Sequence, residues 1–151
     1  YPYRFFKNIV EEFGNAVEIF VVYYRGQPIA SAFNGRFKDT VEGMWTYALR
    51  EYIKLQTNSY LYWKMIEKAC LDGFKRYHLG RSTNDSGAID FKKKWNAFPT
   101  QLYWEYILGR KSELPELTVE NPKYQLARKA WQKLPIAATR IVGPLLSRSI
   151  P

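Results

Sequence analysis

One stretch of the chain gathers residue types that hold an anion. It reads Leu79-Gly80-Arg81-Ser82-Thr83, then Ser86-Gly87, then Phe91-Lys92-Lys93-Lys94-Trp95. A short expected strand, Phe74 to Leu79, leads into it, and a lysine-rich helical run leads out. A strand–loop–helix corner points backbone N–H groups and a helix N-terminus at one spot, which suits a phosphate or a carboxylate. Arg81 adds a guanidinium that grips such a group bidentately, which Lys cannot imitate. Its plainer alternative is a surface pair with Asp85. Ser82, Thr83 and Ser86 bring hydroxyl donors, and serve equally well as turn and cap residues. Gly87 permits close backbone approach or relieves a tight turn. Lys92, Lys93 and Lys94 cannot all face one way, since successive helix residues are about 100° apart. One is expected to face the cleft. Phe91 and Trp95, four apart, read as core anchors.

Other chemistry-bearing residues are sparse. His78 is the only histidine. Imidazole suits proton transfer near neutral pH, although a strand position between Tyr77 and Leu79 equally suits a structural role. Tyr47 and Tyr103 are candidates for an acid or a substrate-orienting group; in a chain with 12 Tyr, packing is the competing explanation. With one Cys and one His, no internal disulfide and no zinc cluster can be assembled, and no metal is expected. Cys70 is expected in core packing, in a reducing compartment.

The elements that position these residues follow from pattern. Tyr3 to Phe13 reads as a helix with Phe6, Ile9, Val10 and Phe13 on one face and Gly14 as its stop. Ala16 to Tyr24 suits a buried strand. Arg25-Gly26-Gln27 is a tight turn, and Pro28 suits the start of the next strand. Residues 29–37 alternate. Lys38-Asp39 turns the chain, and Val41, Gly43, Trp45, Tyr47 and Leu49 alternate on one face of a third strand. These make an antiparallel meander.

The period then changes to that of a helix. Asn58 or Ser59 suits its N-cap, Tyr62, Ile66, Ala69 and Cys70 form its apolar stripe, and Gly73 ends it. A strand over 74–79 follows. A helix between two such strands brings the second back parallel to its neighbour. Asp85 or Ser86 suits the cap of a further helix running to about Trp95, and 102–108 reads as a last aromatic strand. Residues 111–120 form a polar linker. Short helices at roughly 122–133 and 136–148 complete the chain.

Bulk composition is consistent with one folded domain. The chain has 151 residues and is 46% hydrophobic, which argues against disorder. It opens on Tyr1-Pro2-Tyr3 without Met, as a fragment or processed product does. No apolar run reaches membrane-spanning length. The net charge of +9 suits phosphates, nucleic acid or an anionic membrane surface. Residues 121–151 hold Lys123, Arg128, Lys129, Lys133, Arg140 and Arg148 and no acid. That tail suits docking on the domain, or contact with an anionic inner leaflet.

The order α, β-β-β, α, β, α, β resembles the later part of the GCN5-related N-acetyltransferase (GNAT) fold. The residues Gly80-Arg81-Ser82, Ser86-Gly87, Phe91-Lys92-Lys93 and Trp95 resemble the FemAB-like branch of that superfamily. More narrowly they are similar to FemAB-related proteins associated with exosortase (PEP-CTERM) and exopolysaccharide loci. Asn58 with Leu61-Tyr62-Trp63 fits the same group, as does the ending Asn121-Pro122-Lys123-Tyr124 … Trp131 … Leu134-Pro135 … Gly143-Pro144. Related sequences tend to carry Asp where His78 stands, and Gly where Asn96 follows Trp95. Leu79-Gly80-Arg81-Ser82 also lacks the glycine spacing of an acetyl-CoA pyrophosphate loop.

The resemblance implies an α/β, GNAT-like mixed sheet with a short helical tail. Residues 1–110 would be the C-terminal acyltransferase unit, incomplete at its N-terminus, followed by a 111–120 linker and a 121–151 basic tail. It implies acyl or aminoacyl transfer to an amine in cell-wall, peptidoglycan or exopolysaccharide synthesis. The donor would be acetyl-CoA, another acyl-CoA or aminoacyl-tRNA, and the acceptor an amine-bearing cell-wall or polysaccharide precursor. A second GNAT-like unit would precede this one. The place of work would be the cytoplasm or the inner face of the membrane. Asn58, Arg81, Ser82, Thr83, Ser86, Gly87, Lys92 and Lys93 are the expected donor and substrate contacts, Asn58 also being a plain helix cap. A rival class remains: a non-catalytic basic module for RNA or polysaccharide, favoured by the charge and the 17% aromatic content. Against it, the chain has no aromatic-rich RNA-recognition run.

Overall fold

The computed structural model describes residues 1–82, 87–103, 105–107, 130, 131, 133–135, 138, 139 and 142–144. The chain divides into two compact units, one of residues 7–99 and one of residues 1–6 with 100–151. The unit of residues 7–99 carries the sheet.

Helix α1 spans Tyr3–Phe13, as the spacing of its apolar residues requires. Gly14, at φ +47, ends it and begins a single 3-10 turn. Strand β1 is Val17–Tyr24, β2 Gln27–Phe37 and β3 Thr40–Ala48. β1 pairs antiparallel with β2, and β2 with β3. The β1–β2 turn is tight because Arg25 and Gly26 both take positive φ, 50° and 80°, the geometry that matches the twist of a two-residue hairpin.

Two bulges interrupt this meander, one opposite Val22/Tyr23, where Ile29 of β2 is the extra residue, and one opposite Phe33/Asn34 on β3. The second matters for function. Phe33 pairs with Trp45 and Asn34 with Gly43, so Met44 is the extra residue. It reverses the alternation: Val41 and Gly43 share one face, and Trp45 and Tyr47 point to the other. The single-faced stripe from Val41 to Leu49 expected from sequence is therefore broken by one inserted residue.

A 3-10 segment, Arg50–Leu55, leads to helix α2, Thr57–Leu71. The helix begins before the expected caps Asn58 and Ser59. Gln56 adopts a left-handed conformation and its carbonyl accepts the first helical bond, from Tyr60 N–H at 3.0 Å. The Thr57 hydroxyl donates back to the Tyr52 carbonyl at 3.0 Å. The buried stripe is Thr57, Leu61, Met65 and Ala69; it shares Ala69 with the expected one and otherwise lies one position earlier. Cys70 is exposed, not in the core. Both stripes have helical spacing; the sheet takes the one of branched and flexible aliphatics. Tyr62, on the neighbouring stripe, instead packs edge-on against Phe91 at 5.0 Å and lies 6.4 Å from Trp95.

Strand β4, Arg76–His78, returns parallel to β3, giving the sheet order β1-β2-β3-β4. It is shorter than the expected 74–79. Lys75 and Arg76 donate backbone N–H groups to the Asp39 carbonyl at 2.9 and 3.2 Å, which seats β4 against the β2–β3 turn. Helix α3 spans Gly87–Lys93; its expected caps, Asp85 and Ser86, lie outside the described residues. The core joins Ala30 and Ala32 of β2 to Leu61 and Met65 of α2, with Phe20, Val22, Ala48, Tyr62 and Tyr77 packed around them. The architecture is a mixed α/β four-stranded sheet backed by a helix.

In the other unit, Tyr1 stacks on Phe5 at 4.4 Å. The described residues among 101–107 form no strand, so the expected last aromatic strand is not seen in them; Trp104 and Leu108 lie outside the described residues. Residues 130–131, 138–139 and 142–144 are helical. The rest of both expected tail helices, and the linker at 111–120, lie outside the described residues.

Candidate active site

Strands β3 and β4 pair over three rungs only: Thr40–Arg76, Val41–Tyr77 and Glu42–His78. β3 continues to Ala48. Among the described residues nothing pairs with its β4-side edge from Gly43 onward. An unpaired strand edge presents a row of backbone donors and acceptors that an extended group can take up. The meander supplies a rigid strand, the short parallel β4 supplies the parting, and the result is a notch beside residues 43–48.

Glycine sets the foot of the notch. Gly80 has φ +72, and a Cβ there would lie 2.9 Å from the Gly43 carbonyl oxygen. The loop can approach β3 this closely only without a side chain. A Cβ on Gly43 would in turn sit 3.4 Å from the Tyr77 hydroxyl and 3.7 Å from the His78 carbonyl oxygen. The loop is tied from the other side by Lys92 on α3. Its ammonium donates to the carbonyls of Gly80 and Arg81 at 2.8 and 3.1 Å. Partial burial holds that ammonium below the usual lysine range. Lys92 thus braces the wall through its backbone carbonyls. Lys93 is exposed at the end of α3.

Behind Gly43 lies a buried polar pair. Asn34 is wholly buried, and neither amide atom has a hydrogen-bond partner. The Tyr77 phenol lies beside it, but its hydroxyl faces Met65 Sδ at 3.4 Å. Burial raises the Tyr77 pKa well above the ordinary phenol value, with the Asn34 amide pulling weakly the other way. Ser82, two residues beyond Gly80, also has a buried hydroxyl oxygen with no partner among the described residues.

His78 stands on the last paired rung, directly across from Glu42. Its Nδ1 lies 3.2 Å from Glu42 Oε1. Tyr77 packs toward α2, so by strand alternation His78 and Glu42 point to the opposite face. Both are roughly half exposed.

The structure thus gathers His78, Arg81, Ser82 and Lys92 around β4 and the loop that leaves it. Arg81 is exposed and Gly87 begins α3, where a Cβ would meet nothing within 4 Å. Gly87 consequently answers to no close approach among the described residues. Thr83 and Ser86 lie outside the described residues. Tyr47 is exposed further along β3, on the face away from α2. Asn58 is exposed in the first turn of α2, and Tyr103 is exposed in the other unit. Glu42, Gly43 and Asn34 escaped the sequence reading. The available signals were a polar Asn inside an apolar strand and a Glu-Gly step within β3.

The family profile described as "Acetyltransferase (GNAT) domain" matches residues 1–93. This chain belongs to the GNAT acetyltransferase family. No curated protein matches the chain in sequence. Solved structures give the same fold. The ribosomal-protein-S18-alanine N-acetyltransferase from Escherichia coli superposes with a TM-score of 0.53 at 16% identity, covering 59% of this chain and 57% of its own. The chain therefore spans little more than half the length of that relative. An aminoglycoside acetyltransferase, meta-AAC0020, from an uncultured soil metagenomic sample gives 0.57 at 12% identity, over 68% and 74%. The aminoglycoside N-acetyltransferase AAC(6')-Iy, in complex with CoA, gives 0.51 at 11%, over 72% and 88%.

No helix among the described residues is long and apolar enough to cross a membrane.

Proposed function

We propose that this GNAT chain is an N-acyltransferase whose donor lies along the edge of β3 from Gly43 to Ala48. The observation that carries the reading is the parting of β3 from β4 after three rungs, with Gly80 against Gly43 at its foot. A bound acyl-CoA supplies an acyl group on a good leaving group. The chain's own contribution is positional. β3 amides and carbonyls align the donor, the Ser82 hydroxyl bonds to it, Arg81 offers a cation for its anionic part, and Lys92 holds the loop that carries both. Holding two reactants in attack geometry accounts for much of the rate in such transfers.

The finer reading follows the motif resemblance. Gly80-Arg81-Ser82 with Phe91-Lys92-Lys93 favours the FemAB-like branch, with this chain as the C-terminal of two GNAT-like units. The acceptor is then an amine on a cell-wall or surface-polysaccharide precursor, met in the cytoplasm or at the inner leaflet, where the basic residues of 121–151 favour an anionic surface. Asn58, Thr83, Ser86, Gly87 and Lys93 are carried along as contacts to donor or acceptor. Aminoacyl-tRNA is the alternative donor, since neither Leu79-Gly80-Arg81-Ser82 nor the 3-10 link Arg50–Leu55 has the glycines of a pyrophosphate loop.

A thermal-shift comparison of the intact protein with acetyl-CoA, longer acyl-CoAs and aminoacyl-tRNA tests this. A donor at a hundred times its Kd stabilises by about 2.7 kcal/mol, a rise of several degrees, and Arg81→Ala is expected to cut that rise. Stabilisation by no donor, together with RNA or polysaccharide binding that weakens steeply with salt, overturns the transferase reading in favour of a binding module.

A further inference from the structure

We infer that the end of the sheet where β2 turns into β3 is a contact tip for an anionic lipid surface, with Phe37 as its apolar anchor and Lys38 and Lys75 as its cations. The inference rests on the reading above that the acceptor is met at the inner leaflet. It names the surface that takes the protein there.

Register assembles the tip. β2 ends at Phe37, β3 begins at Thr40 and β4 at Arg76, and Thr40 pairs with Arg76. The turn Lys38-Asp39 therefore stands beside the segment that enters β4, where the backbone N–H groups of Lys75 and Arg76 donate to the Asp39 carbonyl. Arg36 ties in two helix ends. Its guanidinium lies 3.4 Å from Asp72, next after the last residue of α2, and donates at 2.8 Å to the carbonyl of Asn15, just beyond α1.

Three large apolar side chains stand in water at this end of the sheet. Phe37 is 74% exposed, Leu71 of α2 80% and Phe13 of α1 61%. Exposed apolar groups that cluster in this way mark a contact surface. The charges around them are sorted by sign. Asp39 is taken by Arg76 at 2.6 Å, and Asp72 by Arg36 and Lys68. Lys38 and Lys75 are exposed, and among the described residues no carboxylate pairs with either. The Lys38 ammonium lies 5.2 Å from the centre of the Phe37 ring, so one cation accompanies the anchor.

That combination fits the boundary of a bilayer. Apolar side chains enter between the headgroups, while lysine ammonium groups stay at the level of the phosphates. An RNA backbone would engage the same lysines and leave Leu71 in water. The position also suits the reaction. Gly43, at the foot of the notch, is three residues along β3 from Thr40, about 10 Å at the rise of a strand. An amine carried on a lipid headgroup is thereby held near the notch.

The test is sedimentation of the intact protein with vesicles of phosphatidylcholine, alone or mixed with phosphatidylglycerol. Binding to the anionic vesicles only is expected. Lys38→Ala with Lys75→Ala is expected to lower the partition coefficient about 25-fold, about fivefold for each lysine. Arg50→Ala with Lys54→Ala removes the same charge elsewhere and is expected to change it by about twofold at most. Phe37→Ser is expected to cost about tenfold, with Tm unchanged because the ring is exposed. A nitroxide on Phe37→Cys, in protein whose exposed Cys70 is changed to Ser, is expected to be shielded from a water-soluble nickel reagent on the vesicle. Three results overturn the tip: no vesicle binding, binding indifferent to the Lys38, Lys75 and Phe37 changes, or bound protein whose label stays open to the reagent. RNA binding that these changes abolish, without vesicle binding, reassigns the surface to nucleic acid. Transfer to a soluble amine by protein that binds no vesicle removes the tip and keeps the transferase. Tip-dependent vesicle binding by protein that transfers from no acyl donor keeps the tip and removes the transferase.

Discussion

At the level of single residues, Gly80 decides more about the notch than any charged group near it. Its φ is positive, and a Cβ there would lie 2.9 Å from the Gly43 carbonyl oxygen, which leaves no room for a methyl group against rigid backbone. Gly80→Ala is expected to lower stability by about 1–3 kcal/mol, read as a fall in Tm, and to weaken donor binding as the loop lifts from β3. Gly87→Ala is the contrasting case. Its Cβ would meet nothing within 4 Å and its φ is not positive, so the change is expected to leave Tm equal or raise it by up to about 1 kcal/mol of stability. Equal losses from both substitutions would contradict this account. The sequence marked Gly87 and the hydroxyl residues as the anion-holding part. It could not show that Gly80 makes the close approach, because that depends on a strand far earlier in the chain. Glu42 was hidden for the same reason: only cross-strand register brings it to His78, and register is not written in residue types.

Elements were more legible than sites. The helix over 3–13, the three-stranded meander and the parallel return of β4 all follow from apolar period and turn chemistry. The errors have specific causes. One inserted residue, Met44, flips the second half of β3, and nothing in an alternating pattern announces a bulge. On α2 two apolar stripes meet at Ala69, which the sequence placed correctly, and the choice of Leu61 and Met65 over Tyr62, Ile66 and Cys70 is made by the sheet it meets. The join between β3 and β4 carries its own prediction. Arg76 donates to Asp39 at 2.6 Å and holds its carboxyl below the usual aspartate range. A carboxylate with a lowered folded-state pKa contributes stability above its unfolded pKa and loses it as pH falls through the folded value. The β4 seat is therefore expected to loosen in acid, and Asp39→Asn to flatten that acid dependence of Tm between about pH 5 and pH 3. An unchanged acid profile in Asp39→Asn would show that this pair does not govern the seat.

At the scale of the whole molecule, a sheet strand bent by a bulge, a short parallel neighbour and a glycine-permitted contact combine into one open strand edge. GNAT membership and the motif resemblance support the proposal that this edge holds an acyl donor for an amine acceptor. Residues 1–93 carry the family match, and the same stretch holds the core and the notch. The central claim is that an acyl donor lies along β3 beyond Glu42. Backbone hydrogen exchange of the intact protein, with and without saturating acetyl-CoA, measures it most directly. The expected result is slowed exchange at residues 43–48 and in the 79–82 loop, with β1 at 17–24 unchanged. Binding of acetyl-CoA that leaves exchange at 43–48 unaltered, or slows it only elsewhere, would contradict the claim.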